Sequence, residues 1–288
     1  MAAAIYLHRA GVPSLVLERG ELGGLLRNAN LVENYPGFPG GIKGGDLVER
    51  FSKQLDMLDI RVTKANIELV KNVRGSFHIK SDIGDFSARA VIVASGTRPK
   101  KELLRGSDSF LGSRIFDELV EMPLTKIAGK RIAVIGGGDA AFDYGLNLQS
   151  RGGDVTILTR SNPKCLSLLR ARAEASGIDV VVGVAPELVK ANPRGLLLQC
   201  RRGKNRVEFL TDFILTACGR EPNDEILSPE LRKRIGKASK VPETNVPGLY
   251  LAGDLIRGKH RQTGIAVGDG IRAAMLVEEY LIEKGCRK

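Results

Sequence analysis

The chain has no tryptophan, few other aromatics, three histidines and four cysteines among its 288 residues. Its Lys and Arg residues are not interleaved with aromatic platforms and show no basic repeat, which argues against nucleic acid as a ligand. No run approaches the roughly 18 apolar residues of a membrane span. The opening is no secretory signal either, because His8 and Arg9 follow its short apolar stretch instead of preceding it. Cys165, Cys200, Cys218 and Cys286 form no Cys-x-x-Cys pair and take no metal-ligand spacing with His8, His78 and His260, so no metal site is expected. Single, scattered cysteines fit a reducing cytoplasm.

What is present is glycine, positive charge and repetition. The 34 glycines point to many tight turns and close backbone approaches. Formal charge is +11, spread along the chain with short clusters such as Arg201-Arg202 and Arg232 to Arg234, and it reads first as a solvated basic face. With 43% hydrophobic and 27% charged residues the composition is that of a globular protein. A chain of 288 residues exceeds one comfortable core, so two domains are expected.

Two stretches occur twice. "RAGVPSLVLERG" (9–20) resembles "SRGGDVTILTRS" (150–161), and "VIVASGTRPK" (91–100) resembles "FILTACGREPN" (213–223). The chain therefore carries two copies of one module: a helix and a strand first, then a strand running into a glycine turn.

The second copy is complete. "KRIAVIGGGDAAFDYGLNLQSRGGDVTILTR" places Gly136-x-Gly138-x-x-Ala141 between an apolar strand and a helix, followed by a second strand. This order is the dinucleotide-binding arrangement. The first glycine allows the tight turn, the second lets a pyrophosphate approach the backbone, and the helix N-terminus, with Asp139 and Ala140 in its first turn, receives the anion. At the end of the second strand a free ribose diol prefers an acid and a 2′-phosphate prefers Arg. Thr159 and Arg160 stand there, with Lys164 close behind, which favours NADPH over NADH. The first copy ends its strand on Glu18, which suits a ribose diol such as that of FAD. Aligning Arg160 on Arg19 puts Ala141 one step ahead of Met1. The first copy's glycine loop is therefore expected upstream, in an extension of roughly 10–20 residues.

At this point the sequence resembles a known family, the low-molecular-weight thioredoxin reductases, which are FAD- and NADPH-dependent flavoproteins of the class II pyridine nucleotide-disulfide oxidoreductases. "GGLLRNANLVENYPGFPGGIKGGDL" (23–47) is similar to the family's flavin-side segment, and "VIVASGTRPK" to the strand and turn that close its FAD domain. "VIGGGDAAFDYGL" is similar to its NADPH loop, "TACGREPN" to the closing turn of the second domain, and "NVPGLYLAGDLIRGKHRQTGIAVGDGIRAAMLVEEYL" (245–281) to the C-terminal flavin segment. The likeness spans essentially the whole chain.

The resemblance implies an α/β fold of two Rossmann-like, three-layer ββα dinucleotide-binding domains, the second inserted in the first. The FAD-binding domain would comprise 1–112 and 243–288, and the NAD(P)H-binding domain 113–242. It implies FAD contacts at Glu18, Gly23, Gly24, Leu25, Asn34, Ala94, Ser95, Gly96, Gly253, Asp254, Arg261, Gln262 and Thr263. NADPH contacts would be Gly136, Gly138, Asp139, Ala140, Ala141, Thr159, Arg160, Cys218 and Gly219. Asn34 would face the flavin ring, Asp254 would accept from ribityl hydroxyls, and Gln262 would open a helix whose positive end stabilises the reduced ring. No catalytic side chain is demanded. A homodimer is implied by the family.

One departure bears on the acceptor. Thioredoxin-reducing members carry Cys-x-x-Cys shortly before the NADPH loop, where this chain reads "SRIFDELVEMPLTKIAGKRIAVIGGG" without cysteine. A dithiol relay needs one thiol to attack and one to resolve. The expectation is a flavin oxidoreductase whose electrons pass to a small redox protein, ferredoxin- or thioredoxin-like, or to a small-molecule acceptor. A ferredoxin–NADP reductase-like enzyme and a nucleotide-binding pseudoenzyme without FAD are the alternatives.

Overall fold

The structure, a computed structural model, describes residues 1–100, 104–235 and 241–286. Helix α1 (Ala2–Arg9) and strand β1 (Val16–Glu18) lead through a 3-10 turn (Gly24–Asn28) to helix α2 (Gly44–Met57). Strands β2 (Val62–Lys64), β3 (Ile67–Val73), β4 (Ser76–Ser81), β5 (Gly84–Ala88), β6 (Val91–Val93) and β7 (Thr97–Pro99) follow. Next come β8 (Ile115–Phe116), β9 (Arg131–Ile135), α3 (Asp139–Ser150), β10 (Asp154–Thr159), α4 (Ser167–Ala175) and β11 (Asp179–Val182). Strands β12 (Ala185–Asn192), β13 (Gly195–Arg202), β14 (Asn205–Thr211) and β15 (Phe213–Thr216) continue the chain. It closes with β16 (Arg220–Pro222), α5 (Pro229–Ile235), β17 (Leu249–Leu251), α6 (Asp254–Arg257) and α7 (Thr263–Glu283).

The architecture is α/β, in two compact units. The first comprises Met1–Leu26, Glu33–Arg98 and Glu221–Lys288, and the second Arg27–Val32 and Pro99–Arg220. The second is thus inserted in the chain of the first; its main body runs from 99 to 220, where the sequence suggested 113 to 242, and residues 27–32 make a further short excursion into it. Packing gives the reason. Leu227 and Leu231 are buried with Val70 and Phe77 in a core of the first unit, and the Val70 N–H donates to the Ile226 carbonyl at 2.6 Å. Leu104 is buried with Ile115, Ala133 and Ile135 in a core of the second.

In the second unit five parallel strands run in the order β11-β10-β9-β15-β8. Strand β9 is central, and Ile132, Ala133, Val134 and Ile135 are all buried. That explains why "IAVI" is a continuous apolar run and not an alternating one: both faces of a parallel sheet are covered. Helix α3 lies close enough to β10 that a Cβ at Gly145 would come within 3.1 Å of the Ile157 Cδ1 atom. Strands β12, β13 and β14 form a separate antiparallel sheet. Arg131, at the start of β9, is held by Asp212, whose carboxylate accepts from the Arg131 N–H at 2.9 Å and from Nη2 at 2.8 Å.

The first unit carries the antiparallel sheet β3-β4-β5 and two parallel pairs, β1-β2 and β6-β17. Helices α1 and α7 cross closely. A Cβ at Gly270 would lie 3.3 Å from the Ala3 nitrogen, and the Tyr6 hydroxyl donates to Glu278 at 3.1 Å.

Candidate functional site

The glycine turn of the second unit is built by exclusion. Gly136 has φ +153, and a Cβ there would sit 2.6 Å from the Ala217 carbonyl oxygen and 3.1 Å from the Ala141 Cβ. Gly136 therefore lets β9 turn between β15 and the first turn of α3, and Ala141, fully buried, is the small residue that this contact tolerates. At Gly137 a Cβ would meet the Thr159 Oγ1 at 2.5 Å. Gly138, the N-cap of α3, has nothing within 4 Å of a Cβ position. Its open side, with the exposed Asp139 and Ala140 behind it, is a cradle at a helix N-terminus.

The loop after β10 folds back over this turn. The Lys164 N–H donates to the Gly137 carbonyl at 2.7 Å, and the Leu166 N–H donates to Asp139 Oδ1 at 2.8 Å. Asp139 thus anchors the loop as well as opening the helix. Thr159 is buried and its hydroxyl donates to the Ser161 carbonyl at 2.7 Å, so it shapes the loop from inside, whereas Arg160 is exposed. Cys218 is half-buried beside β9, its Sγ donating to the Ile135 carbonyl at 3.5 Å. Gly219, φ +107, follows it, and its carbonyl accepts from the Lys100 N–H at 3.0 Å.

In the first unit nine of the residues cited for a flavin lie in three places, and Glu18, Gly23, Gly24 and Leu25 lie apart from them. The Asn34 Nδ2 donates to the Gln262 Oε1 at 2.7 Å, joining residues 228 positions apart. Gln262 is the N-cap of the 21-residue α7, which has no acid in its first turn. Thr263 opens that helix with Gly264 beyond it, where an added Cβ would meet nothing within 4 Å, and Arg261 is half-buried just before it. The positive end of the dipole is therefore presented without a competing carboxylate in that turn.

The second place is the turn after β6. Ala94, Ser95 and Gly96 (φ +66) are stitched to Asn223: the Ser95 hydroxyl donates to the Asn223 carbonyl at 2.6 Å, and the Asn223 N–H donates to Gly96 at 3.0 Å. The third is the turn after β17, where Gly253 (φ +69) precedes Asp254 at the start of α6. Here the buried Asp269 of α7 accepts from the Gly253 N–H at 3.2 Å and from Arg257 Nε at 2.7 Å, with a second contact to Arg257 Nη2. Glu18 ends β1 and accepts from the Gly20 N–H at 2.8 Å. Gly23 has φ +101, and a Cβ there would collide with Val48 of α2; Gly24 and Leu25 follow in the 3-10 turn.

Gly137, Asn223 and Asp269 escaped the sequence reading. Asp269 left a signal: it shares a helical stripe with Ala266, Ala273 and Val277, an acid where an apolar residue belongs. Asn223 left none beyond its place in "REPN".

Two of the four thiols are held back from chemistry. Cys200 is 1% exposed, and burial with Glu187 nearby pushes it up to about 12. Burial and Asp139 also raise Cys165. In the cysteine-free segment before β9, Leu119 and Met122 are buried in the core. Among the described residues no group of His, Cys, Asp and Glu could hold a metal, and no helix is long and apolar enough to cross a membrane.

Residues 1–270 match the family described as pyridine nucleotide-disulphide oxidoreductase. The thioredoxin reductase of Bacillus subtilis is 30% identical over 292 residues, 98% of this chain and 92% of that protein. That of Coxiella burnetii is 28% identical over 295 residues, covering 97% and 92%. Lactococcus lactis thioredoxin reductase, solved in its FR conformation, matches with a TM-score of 0.87 at 25% identity, over 98% of this chain and 95% of that one.

Proposed function

The chain belongs to the pyridine nucleotide-disulphide oxidoreductase family, as a thioredoxin reductase-like, NAD(P)H-dependent flavin oxidoreductase, and on that premise we propose that its electrons leave without a dithiol relay. The observation that supports this is the segment before the glycine turn, where Leu119 and Met122 occupy the core and no thiol is present. The remaining cysteines are scattered, and Cys165 and Cys200 are held in the unreactive protonated form. The acceptor is then a small redox protein or a small molecule that meets the reduced cofactor directly.

FAD and NADPH are the cofactors of this class, and the chemistry supplied by bound FAD is acceptance of a hydride from the nicotinamide. The residues fit the nicotinamide dinucleotide and the ribose, ribityl and ring portions of FAD. Gly138 and the first turn of α3 receive the nicotinamide dinucleotide's pyrophosphate, with Gly136 and Ala141 setting the close approach. Ala217, Cys218 and Gly219 close that site behind β15. Arg160 and Lys164 take the 2′-phosphate, and Thr159 holds their loop in place. In the first unit Glu18 takes the adenosine ribose, Gly23, Gly24 and Leu25 line the entry, and Ala94, Ser95 and Gly96 allow backbone approach. Gly253 and Asp254 would hold the ribityl end, and Asn34, Arg261, Gln262 and Thr263, at the start of α7, would hold the ring. A homodimer in the cytoplasm completes the reading, the latter from single cysteines that suit a reducing compartment.

The test is direct. The purified protein is expected to be yellow, to bleach anaerobically with NADPH faster than with NADH, and to be reoxidised by dyes or ferredoxin but not by thioredoxin. Rapid turnover with thioredoxin would overturn the proposal. A colourless protein that still binds NADPH would leave a nucleotide-binding pseudoenzyme in its place.

A further inference from the structure

The antiparallel sheet β12-β13-β14 of the second unit has one face in the core and one outside. Leu196, Leu198 and Cys200 of β13 are buried, so Leu197, Gln199 and Arg201 point the other way. Register adds their neighbours on that outer face: Leu188 beside Gln199, Lys190 beside Leu197, and Arg206 beside Arg201.

A bulge interrupts this face. The pairing of β12 with β13 slips between Pro186 and Leu188, and such a slip bends the strand and re-aims the side chains around it. At the same point Arg105 is laid along the edge of β12. Its N–H donates to the Glu187 carbonyl at 3.2 Å, and its carbonyl accepts from the Val189 N–H at 2.9 Å. Gly106 permits that approach: at φ +77 an added Cβ would sit 2.4 Å from the Val189 carbonyl oxygen. A cavity of about 130 Å³ opens here, lined among others by Arg105, Glu187, Lys190, Gln199, Cys200 and Arg206.

Charge around the cavity is one-sided. Arg105, Lys190 and Arg206 are exposed and, among the described residues, in no ion pair. The two nearby acids are engaged elsewhere. Glu187 holds Arg201 Nε at 3.0 Å, and Glu208 accepts from the Gln199 amide at 2.8 Å. Three cations around one concavity raise its potential and favour a multivalent anion. Two of them carry guanidinium forks, which match phosphate oxygens two at a time. Backbone pairing sets the position of Arg105, so one of those forks starts from a fixed point.

We propose that this cavity binds a small ligand through a diphosphate group, gripped by Arg105, Lys190 and Arg206. Three cations call for more negative charge than one phosphate ester carries, which selects a diphosphate over a monoester. The site is separate from the nucleotide cradle, which forms at the end of β9 and the start of α3. It also stands whether or not the electrons leave the flavin without a dithiol.

The test titrates inorganic pyrophosphate into the full chain and follows the backbone amides by NMR. Saturable shifts are expected at Arg105, Leu188, Lys190 and Arg206. Arg206→Ala and Lys190→Ala should each weaken binding about tenfold, the loss of one charge-assisted contact. Arg202→Ala removes an exposed cation that does not line the cavity, and should leave the affinity within about twofold. Orthophosphate should bind about tenfold more weakly than pyrophosphate. All three substituted side chains are exposed, so the variants should unfold as the natural chain does. Titration without saturation overturns the site. Equal losses for Arg202→Ala and Arg206→Ala also overturn it, since net charge would then account for the binding. So do shifts confined to Gly138, Asp139 and Arg160, which would put the pyrophosphate in the nucleotide cradle.

Discussion

The glycine turn of the second unit and the turns proposed for a flavin in the first are held in place by different means. In the second unit one contiguous stretch, from β9 through Gly136 to Ala141, makes the whole cradle, and the central strand buries its neighbours completely. In the first unit the candidate contacts are assembled from segments far apart in sequence. They are held by polar bonds: Asn34 to Gln262, Ser95 to Asn223, Asp269 to Gly253 and Arg257. One site is secured by steric exclusion at the backbone, the other by long-range hydrogen bonding. Substitutions should therefore fail differently in the two.

The largest effect is expected at Gly136. Gly136→Ala forces a Cβ against the Ala217 carbonyl at a φ that side chains avoid, and should cost about 3 kcal/mol or more in denaturant unfolding of the second unit. Gly138→Ala, where space is open, should leave unfolding within about 0.5 kcal/mol yet raise KM for NADPH about tenfold. Equal losses of stability at both positions would break the distinction between the turn glycine and the cradle glycine.

Next is Asp269→Ala, which strands the Arg257 guanidinium and the Gly253 N–H. Losing one partner of a largely buried pair should cost about 2–4 kcal/mol and release FAD, while NADPH binding to the second unit stays intact. Fluorescence of released flavin and NADPH titration together check it.

A smaller effect carries a pH signature. Asp143 of α3 accepts from the Asn30 N–H at 2.8 Å, yet burial pushes its carboxyl up to about 6. A raised folded value means that its contribution is fully present below the unfolded value of about 3.9 and is lost as pH rises through about 6. Asp143→Asn should therefore be more stable than the natural chain at pH 8 by about 1–2 kcal/mol, with the difference vanishing toward pH 4. A pH-independent difference in unfolding midpoint would refute the assignment.

The smallest stability change is expected for Gln262→Ala. Its bond to Asn34 is exposed, so unfolding should move by less than about 0.5 kcal/mol. Flavin affinity should nonetheless fall several-fold if this pair orients the ring, and an unchanged absorbance spectrum and affinity would remove Asn34 and Gln262 from the site.

The second unit's turn was readable because its determinants are local. A buried parallel strand must be apolar throughout, the turn must be glycine, and the next helix must start small, and all three lie within eleven residues, Arg131 to Ala141. The repeat was readable for the same reason. The unit boundaries were not, because the side on which 221–235 packs depends on Leu227 and Leu231 meeting Val70 and Phe77, contacts far removed along the chain. Thr159 was read as facing a ligand. Its burial, its bond to the Ser161 carbonyl and the closeness of Gly137 to its hydroxyl show that it turns inward.

By itself, then, the amino-acid order determined the α/β class, the module and its repetition, the glycine turn before α3 and the absence of a paired thiol motif. Those properties follow from residue type, short spacing and backbone conformation, which a chain carries with it wherever it folds. Tertiary structure alone decided that Asp269 clamps Gly253 and that Asn223 stitches the turn after β6. Each depends on which distant groups are brought within hydrogen-bond reach, and a bond made across 128 residues, as between Ser95 and Asn223, has no local pattern to announce it.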